Sequence, residues 1–442
     1  MPHAMPACPD RSRLPRRSED GFALIETIVS AMLVVLIAIG VYTGLDAASA
    51  TSGTNKARSV ASDLAQADQE RMRAYRASDL SNLRGTRTQV MAGTTYTIVS
   101  RADWVTDSSG TASCAGAGAL ANFIKISSTV TWPNMKIKPV VLDSLVAPPN
   151  GSFNTDEGTL AVQIRDRNGN GVQGITVSLV GPDTFTDVTN ENGCILAGYL
   201  VAGNYDVRFA VPGWVDRQGQ TNINQTVGVV AEQTTTAAFD YDRAGSAALT
   251  FQTQPASAPV QAAQAPYASL AQSGLAAPGY RVWGSGTFQP SYNATGLFPF
   301  PSPYGAYSGN CSGADPQTYS QPRDTVSITP GGAASSVVWL PAVNLLVRRG
   351  GTPLPNARVR VSNITSGCSG VYTLTTSTAG NLRQPSSPVG SQDPGLPYGT
   401  YNVCADDGTR SVVRNGIANP ARGGTAVLPM DIPTSGPTGT CP

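Results

Sequence analysis

The sequence predicts an α+β protein: a long N-terminal transmembrane helix with a small antiparallel sheet, followed by two all-β sandwich modules. Three observations predict it. An apolar run near the N-terminus is long enough to span a bilayer, alternating hydrophobic residues between Gly/Asn-rich turns fill the rest, and two β-rich stretches match at a fixed offset. Composition agrees, because 46 Gly and 33 Pro among 442 residues, with 13% charged, favour turns and strands over surface helices.

Several function classes are excluded at once. The chain has one histidine, His3, so loss of the first residues leaves no imidazole for base catalysis, nucleophile activation or metal ligation. No Gly-x-Ser-x-Gly, phosphate-binding glycine loop or His-Glu-x-x-His occurs. The expectation is a protein that is not an enzyme, with no catalytic residue, no metal and no cofactor. Lys plus Arg is 30 and Asp plus Glu is 29, so bulk charge selects no nucleic-acid partner. Asp166-Arg167-Asn168-Gly169-Asn170-Gly171 has the first half of a calcium loop, but its twelfth position is Val177 instead of a bidentate Glu. A hairpin turn accounts for the same residues.

From Phe22 to Leu45 run 24 residues in which Glu26 is the one acid or base besides Tyr42. As a helix this crosses a ~30 Å hydrocarbon core. Arg11, Arg13, Arg16 and Arg17 precede it, so the N-terminal flank is expected in the cytoplasm and the remaining 397 residues (442 − 45) outside. A secretory signal peptide cut at Ala48-Ser49-Ala50 fits such a segment, and so does an uncleaved single-pass anchor. Both leave Glu26 unexplained, because a carboxylate within lipid costs roughly 2.5 to 3.5 kcal/mol.

A third fate follows from the motif. Gly21-Phe22-Ala23-Leu24-Ile25-Glu26 resembles the cleavage and methylation motif of type IV prepilins at every diagnostic position; the departure is Ser18-Glu19-Asp20, with acids where many prepilins carry a basic residue. The resemblance implies a leader of residues 1–21, cleavage between Gly21 and Phe22 by a prepilin peptidase/methylase, and N-methylation of Phe22. Cleavage creates a cationic amine at Phe22, and in a staggered bundle Glu26 of one helix can pair with the amine of its neighbour, so that two burial penalties offset each other.

The helical pattern continues through Val60, Leu64, Ala67, Met72 and Tyr75. It predicts a helix over 22–84, membrane-spanning over 22–45, with a weak point or kink at Ser52-Gly53-Thr54-Asn55 and a stop at Gly85. Short strand signals at Thr95–Val99, Phe123–Trp132 and Lys136–Leu142 predict a pilin-like β head over 85–147. A linker over 148–158 leads to a first sandwich over 159–243, and a second is expected over 342–432, with a tail over 433–442. The repeat that links them is Leu200–Val207 against Leu396–Val403, an offset of 196 residues (396 − 200). Between them, 244–341 reads as an Ala/Pro/Gln-rich linker and an aromatic-rich insertion, its rings either packing that insertion or forming a surface for a glycan or partner.

Both sandwiches resemble carboxypeptidase regulatory-like modules, which are transthyretin/Ig-like sandwiches serving as stalks and binding units. The resemblance rests on Gly174 or Asn356 before a strand, the turn Thr189-Asn190-Glu191-Asn192-Gly193, and the Gly-x-Tyr-x-Val strand with Tyr205 or Tyr401. Many surface relatives carry a Lys to Asn cross-link, but Lys56, Lys125, Lys136 and Lys138 all precede both modules. Disulfides are the substitute. Cys8 lies in the leader, leaving Cys114, Cys194, Cys311, Cys368, Cys404 and Cys441 with about 15 pairings open. Cys368 and Cys404, within one module, are the first candidates.

The expected role is a minor pilin-like subunit of a type IV pilus or related filament, displaying its sandwiches for adhesion or partner contact. Implied partners are the peptidase/methylase, major and other minor pilins, the inner (cytoplasmic) membrane, and a host or surface ligand. The implied location is the cytoplasmic membrane, single-pass with the C-terminus out, and then the pilus or cell surface. The alternatives are a pseudopilin of a secretion or DNA-uptake system and a membrane-anchored surface adhesin.

Overall fold

The structure, a computed structural model, describes residues 22–80, 83–105, 114, 123–135, 138–147, 156–254, 260–368, 370–383, 395–418 and 425–442. The expected leader, with His3, Cys8 and Gly21, lies outside these residues. A long N-terminal apolar helix is followed by antiparallel sheets that build several β-sandwiches. The chain divides into two compact units, residues 1–102 with 126–144, and residues 103–125 with 145–442.

In the first unit, α1 (Phe22–Arg73) is a 52-residue helix, about 78 Å long at 1.5 Å per residue. It continues through the expected weak point at Ser52-Gly53-Thr54-Asn55, where Thr51 and Thr54 donate back to the carbonyls of Ala47 and Ala50. It stops eleven residues short of the expected Arg84 (84 − 73), because Arg84 already belongs to a strand. After the short α2 (Ala77–Leu80) come β1 (Arg84–Met91), β2 (Thr94–Val105), β3 (Phe123–Thr131) and β4 (Val140–Val146), hydrogen-bonded in that order. The β1–β2 hairpin turns on Ala92 and Gly93, both at positive φ, the conformation a two-residue turn requires. The helix presents Ala61, Leu64 and Ala65 to Tyr96, Ile98 and Val130 of the sheet. Its buried stripe continues through Asp68, Gln69 and Met72, whereas Ala67 and Tyr75, expected on that stripe, are exposed.

The second unit contains three sandwiches of eight described strands each. The first comprises β5 (Glu157–Arg165), β6 (Thr176–Val180), β7 (Thr184–Val188), β8 (Cys194–Val201), β9 (Gly203–Ala210), β10 (Trp214–Asp216), β11 (Asn222–Val229) and β12 (Thr234–Arg243). Its sheets run β10-β12-β5-β8 and β11-β9-β6-β7 around a core of Val, Ile, Leu and aromatic side chains.

The second sandwich occupies the stretch expected to be linker and insertion. It comprises β13 (Gly245–Thr253), β14 (Gln261–Ala262), β15 (Ala268–Ala271), β16 (Tyr280–Trp283), β17 (Ser291–Leu297), β18 (Tyr304–Tyr307), β19 (Asp324–Val326) and β20 (Ala333–Leu340). The sequence hid it because alanines supply much of its core: Ala247, Ala263, Ala265, Ala268, Ala294 and Ala306 surround Phe298, Phe300 and Tyr304. Short strands of Ala, Ser and Gln show little hydrophobic alternation, so composition alone suggests a linker.

The third sandwich comprises β21 (Ala342–Arg349), β22 (Thr352–Pro353), β23 (Arg358–Asn363), β24 (Val371–Thr376), β25 (Leu382–Arg383), β26 (Thr400–Asp406), β27 (Ser411–Ala418) and β28 (Thr425–Ile432). All three close alike, with the first strand pairing in parallel with the last: β5 with β12, β13 with β20 and β21 with β28. One residue, Ala244 or Pro341, separates each sandwich from the next.

Local hydrogen bonds repeat with the topology. Tyr205, Tyr304 and Tyr401 are buried, and their hydroxyls donate to the carbonyls of Val201, Phe298 and Pro397 at 2.9, 2.7 and 2.7 Å. This ties the end of one strand to the chain just before it. In the first sandwich Thr189 Oγ1 accepts from Ile175 N and donates to Val172 O, and in the third Thr376 Oγ1 accepts from Ala357 N and donates to Leu354 O. Gly174 and Asn356, at matching places in these two clamps, both adopt positive φ, which glycine and asparagine tolerate best.

Candidate assembly helix and disulfide framework

The N-terminal half of α1 is apolar on every side. Met32, Leu33, Val34, Val35 and Leu36 are all exposed although consecutive residues point 100° apart, so no face is covered by this chain. The segment is long and apolar enough to cross a membrane, and lipid or neighbouring helices are the surroundings in which such a surface is stable. Glu26, also exposed, lies one helical turn, about 6 Å of rise, beyond Phe22, the first residue of the helix. Phe22 and Glu26, the residues expected to pair after cleavage, therefore sit at one end of the apolar segment.

The C-terminal half is fixed to the sheet by two adjacent buried polar residues. Asp68 accepts from Ser100 Oγ at 2.7 Å, Ser128 Oγ at 2.8 Å, Arg71 Nη2 at 2.9 Å and Arg87 Nη2 at 3.2 Å. Burial by itself raises its pKa, but the hydrogen bonds from Ser100, Ser128 and Arg71 outweigh that effect and hold the carboxyl below its ordinary value. Gln69 Nε2 donates to Ile126 O at 3.1 Å and Leu142 O at 2.6 Å, while its Oε1 accepts from Ser144 Oγ at 2.6 Å. The pair thus reaches β2, β3 and β4, joining helix to sheet where aliphatic packing alone would let it slide. Sequence reasoning missed both residues. The available signal was their position, four and five residues after Leu64 on the apolar stripe.

The six cysteines of the β region form three disulfides: Cys114–Cys194, Cys311–Cys368 and Cys404–Cys441. The first candidate pair, Cys368 with Cys404, does not form. Cys404 lies on the outer side of β26 and ties down the C-terminal segment, whereas Cys368, in the loop after β23, reaches into the second sandwich. Closing loops of 80, 57 and 37 residues removes about 4 kcal/mol of denatured-state entropy per bond.

The two junctions between sandwiches are built differently. Between the first and second, Val215 enters the second core, Arg217 lies 5.5 Å from the Phe300 ring, and Arg167 Nη1 donates to Ile328 O at 3.1 Å. Between the second and third, the Cys311–Cys368 bond is flanked by Tyr319 stacked on Tyr398 at 5.6 Å and Phe288 edge-on to Tyr372 at 5.2 Å. The dense aromatics of 280–340 are therefore largely core and junction, with Phe298, Phe300, Tyr304 and Tyr307 buried. At the calcium-like loop, Asp166 accepts from the backbone N–H groups of Asn168 and Asn170 and from the Asn170 side chain, as a turn does. Within the same unit Trp104 lies on Gly198, where a Cβ would stand 2.5 Å from the indole, so only glycine admits the ring.

No protein-family profile matches this chain, and no curated protein matches it. Among solved structures, the TIE protein of Bacillus anthracis is similar at 11% identity over 79% of this chain and 74% of that one, with a TM-score of 0.20. BcpA, the major pilin subunit of Bacillus cereus, is similar at 10% identity over 63% and 100%, with a TM-score of 0.18. A streptococcal ancillary pilin is similar at 12% identity over 70% and 76%, with a TM-score of 0.17.

Proposed function

We propose that this protein is a minor pilin-like structural subunit of a type IV pilus or related filament, which displays three sandwiches outside the membrane for adhesion or partner contact. The observation that carries this reading is α1: one continuous helix whose first half is apolar all round with the lone acid Glu26, and whose second half is clamped to a small sheet through Asp68 and Gln69. The first half inserts into the membrane and then into a helical fibre core, where Glu26 pairs with the amine of Phe22 on a neighbouring subunit. The second half holds the head to it. With 369 residues after the helix (442 − 73), the subunit suits a sparse or terminal position rather than one repeated along a thin shaft.

N-terminal mass spectrometry on the protein recovered from membranes and filaments tests the reading, with a mature terminus at methylated Phe22 expected. A terminus at Thr51 would instead identify ordinary secretion, and an intact leader a single-pass anchor. Glu26→Ala should abolish incorporation into filaments while leaving membrane insertion intact; unchanged incorporation would remove the pairing role of Glu26.

A further inference from the structure

The head turns one end toward the membrane, and its packing on α1 fixes which end that is. Ala61, Leu64 and Ala65 meet Tyr96 and Ile98, and Asp68, further along the helix, meets Ser100, so β2 advances away from the membrane as α1 does. The β1–β2 turn at Ala92 and Gly93 precedes Tyr96 and therefore lies on the membrane side. β3 runs the other way: the Ile126 carbonyl is at Gln69, the Ser128 hydroxyl at Asp68, Val130 in the cluster with Ala61, and Trp132 6.0 Å from Tyr96. The turn at Pro133 and Asn134 that follows β3, and Lys138 just before β4, are thus at the same end as Ala92.

This end comes close to the bilayer. Every residue from Ile25 to Gly53 is exposed, and cover on the helix begins at Thr54 and Ala57, both half-buried. From Leu45, the end of the apolar run, to Thr54 is nine residues (54 − 45), about 14 Å of rise. Headgroups occupy about 5 to 8 Å of that distance. The gap left is comparable to the ~8 Å Debye length at physiological salt, and tilting the helix toward its sheet narrows it. The side chains at this end match a lipid surface. Between Asp46 and Asp63 the charged residues of α1 are Lys56 and Arg58; both are exposed, as is Lys138, and none of the three pairs with a carboxylate among the described residues. At the hairpin tip Val90 and Met91 are 65% and 42% exposed, an apolar pair that water does not stabilise. Cations beside apolar side chains, just past a membrane span, suit anionic headgroups: the charges are attracted, and the apolar pair gains a less aqueous surrounding.

We propose that this end of the head is a lipid-contact surface, in which Lys56, Arg58 and Lys138 engage the headgroups of anionic phospholipids and the Val90–Met91 tip enters the headgroup layer, holding the head against the outer leaflet while α1 spans the membrane. The proposal rests on the membrane insertion of α1 in the reading above and does not require entry into a filament. The test measures hydrogen exchange of the full-length protein in nanodiscs of phosphatidylcholine alone and of phosphatidylcholine with about 30% phosphatidylglycerol. Peptides covering 86–95 and 138–144 should exchange at least about threefold more slowly in the anionic discs, and about 500 mM NaCl should cancel the difference. Lys56→Gln/Arg58→Gln/Lys138→Gln should remove the dependence on lipid charge, and Val90→Ser/Met91→Ser should weaken the protection of 86–95 in anionic discs. Arg414→Gln, an exposed change in the third sandwich, should alter neither. The substituted head positions are exposed, and unchanged exchange in β3 verifies that each variant folds. Equal exchange in the two lipids, as a second copy or a protein partner on this surface would give, would overturn the proposal, and so would a lipid-charge effect that persists in the triple variant. A chain that inserts into nanodiscs without responding to lipid charge leaves the insertion reading standing and removes this one, whereas a chain that fails to insert removes both.

Discussion

The first and second sandwiches close in the same way and fill their interiors differently. In the first, β5 and β12 pair in parallel around Leu160, Val162, Ile164, Val177 and Leu179, so each strand carries its own share of apolar volume. In the second, β13 and β20 pair in parallel and bring Leu249, Phe251, Val338 and Leu340, while six alanines share the core with Phe298, Phe300 and Tyr304 on the segment from β17 to β18. A sandwich core has to be filled to near-crystalline density, but how the volume is divided among strands is free. The consequence is a difference in where each sandwich is vulnerable.

Substitutions in the core break this comparison most directly. Phe298→Ala should cost the second sandwich about 3 to 5 kcal/mol, since small neighbours cannot collapse into the space of a ring. Ile164→Val in the first should cost about 0.5 to 1.5 kcal/mol. Hydrogen exchange resolved by strand measures both; equal losses would show that the second core is not centred on its aromatics.

The junctions come next in size. Replacing Cys311 and Cys368 by Ser should remove about 4 kcal/mol of loop-closure stabilisation from the second and third sandwiches and leave exchange in the first unchanged. Limited proteolysis under reducing and non-reducing conditions checks this, and protection that does not change on reduction would assign the junction to Tyr319–Tyr398 and Phe288–Tyr372 packing.

Smaller effects are expected where the sandwiches agree. Tyr205→Phe, Tyr304→Phe and Tyr401→Phe should each cost about 1 to 3 kcal/mol by leaving a buried or, for Val201, partly buried carbonyl without its donor. Similar losses in all three, read by denaturant unfolding with strand-resolved exchange, would support treating the sandwiches as copies of one design.

The smallest effect expected is in acid. The carboxyls of Asp68, in the head, and Asp407, in the third sandwich, have lowered folded pKa values, Asp407 near about 2 through hydrogen bonds from the Arg410 N–H and Thr409. Their stabilisation is present above the ordinary aspartate value of 3.8 and is lost as pH falls through the folded values. Melting temperature against pH should therefore fall in the region from about 4 toward 2, and Asp68→Asn should flatten the part contributed by the head. An unaltered slope in that variant would mean that the carboxylate charge of Asp68 does little.

Legibility in the sequence followed the range of the interactions. The apolar helix, the sheet that packs on its C-terminal half, and the strands around Tyr205 and Tyr401 were readable because period and turn chemistry lie within ten residues of each other. The end of α1 was misplaced because β1 is held by pairing with β2, which overrides the helical preference of its approach. The second sandwich was missed because its alternating strand, Ala247, Leu249 and Phe251 of β13, is too modest to separate from a linker without its parallel partner β20 in view.

The sequence by itself determined a membrane-length helix with one acid at its start, a β-rich remainder, and six of its seven cysteines after that helix with no lysine in the sandwiches to cross-link them otherwise. The tertiary structure decided which cysteines meet, that Asp68 and Gln69 fasten helix to sheet, and that there are three sandwiches rather than two. The physical reason is that helix and strand periods are written in neighbouring residues. Bridges across 37 to 80 residues, and the covering of a sheet by distant chain, depend on how whole strands register and pack.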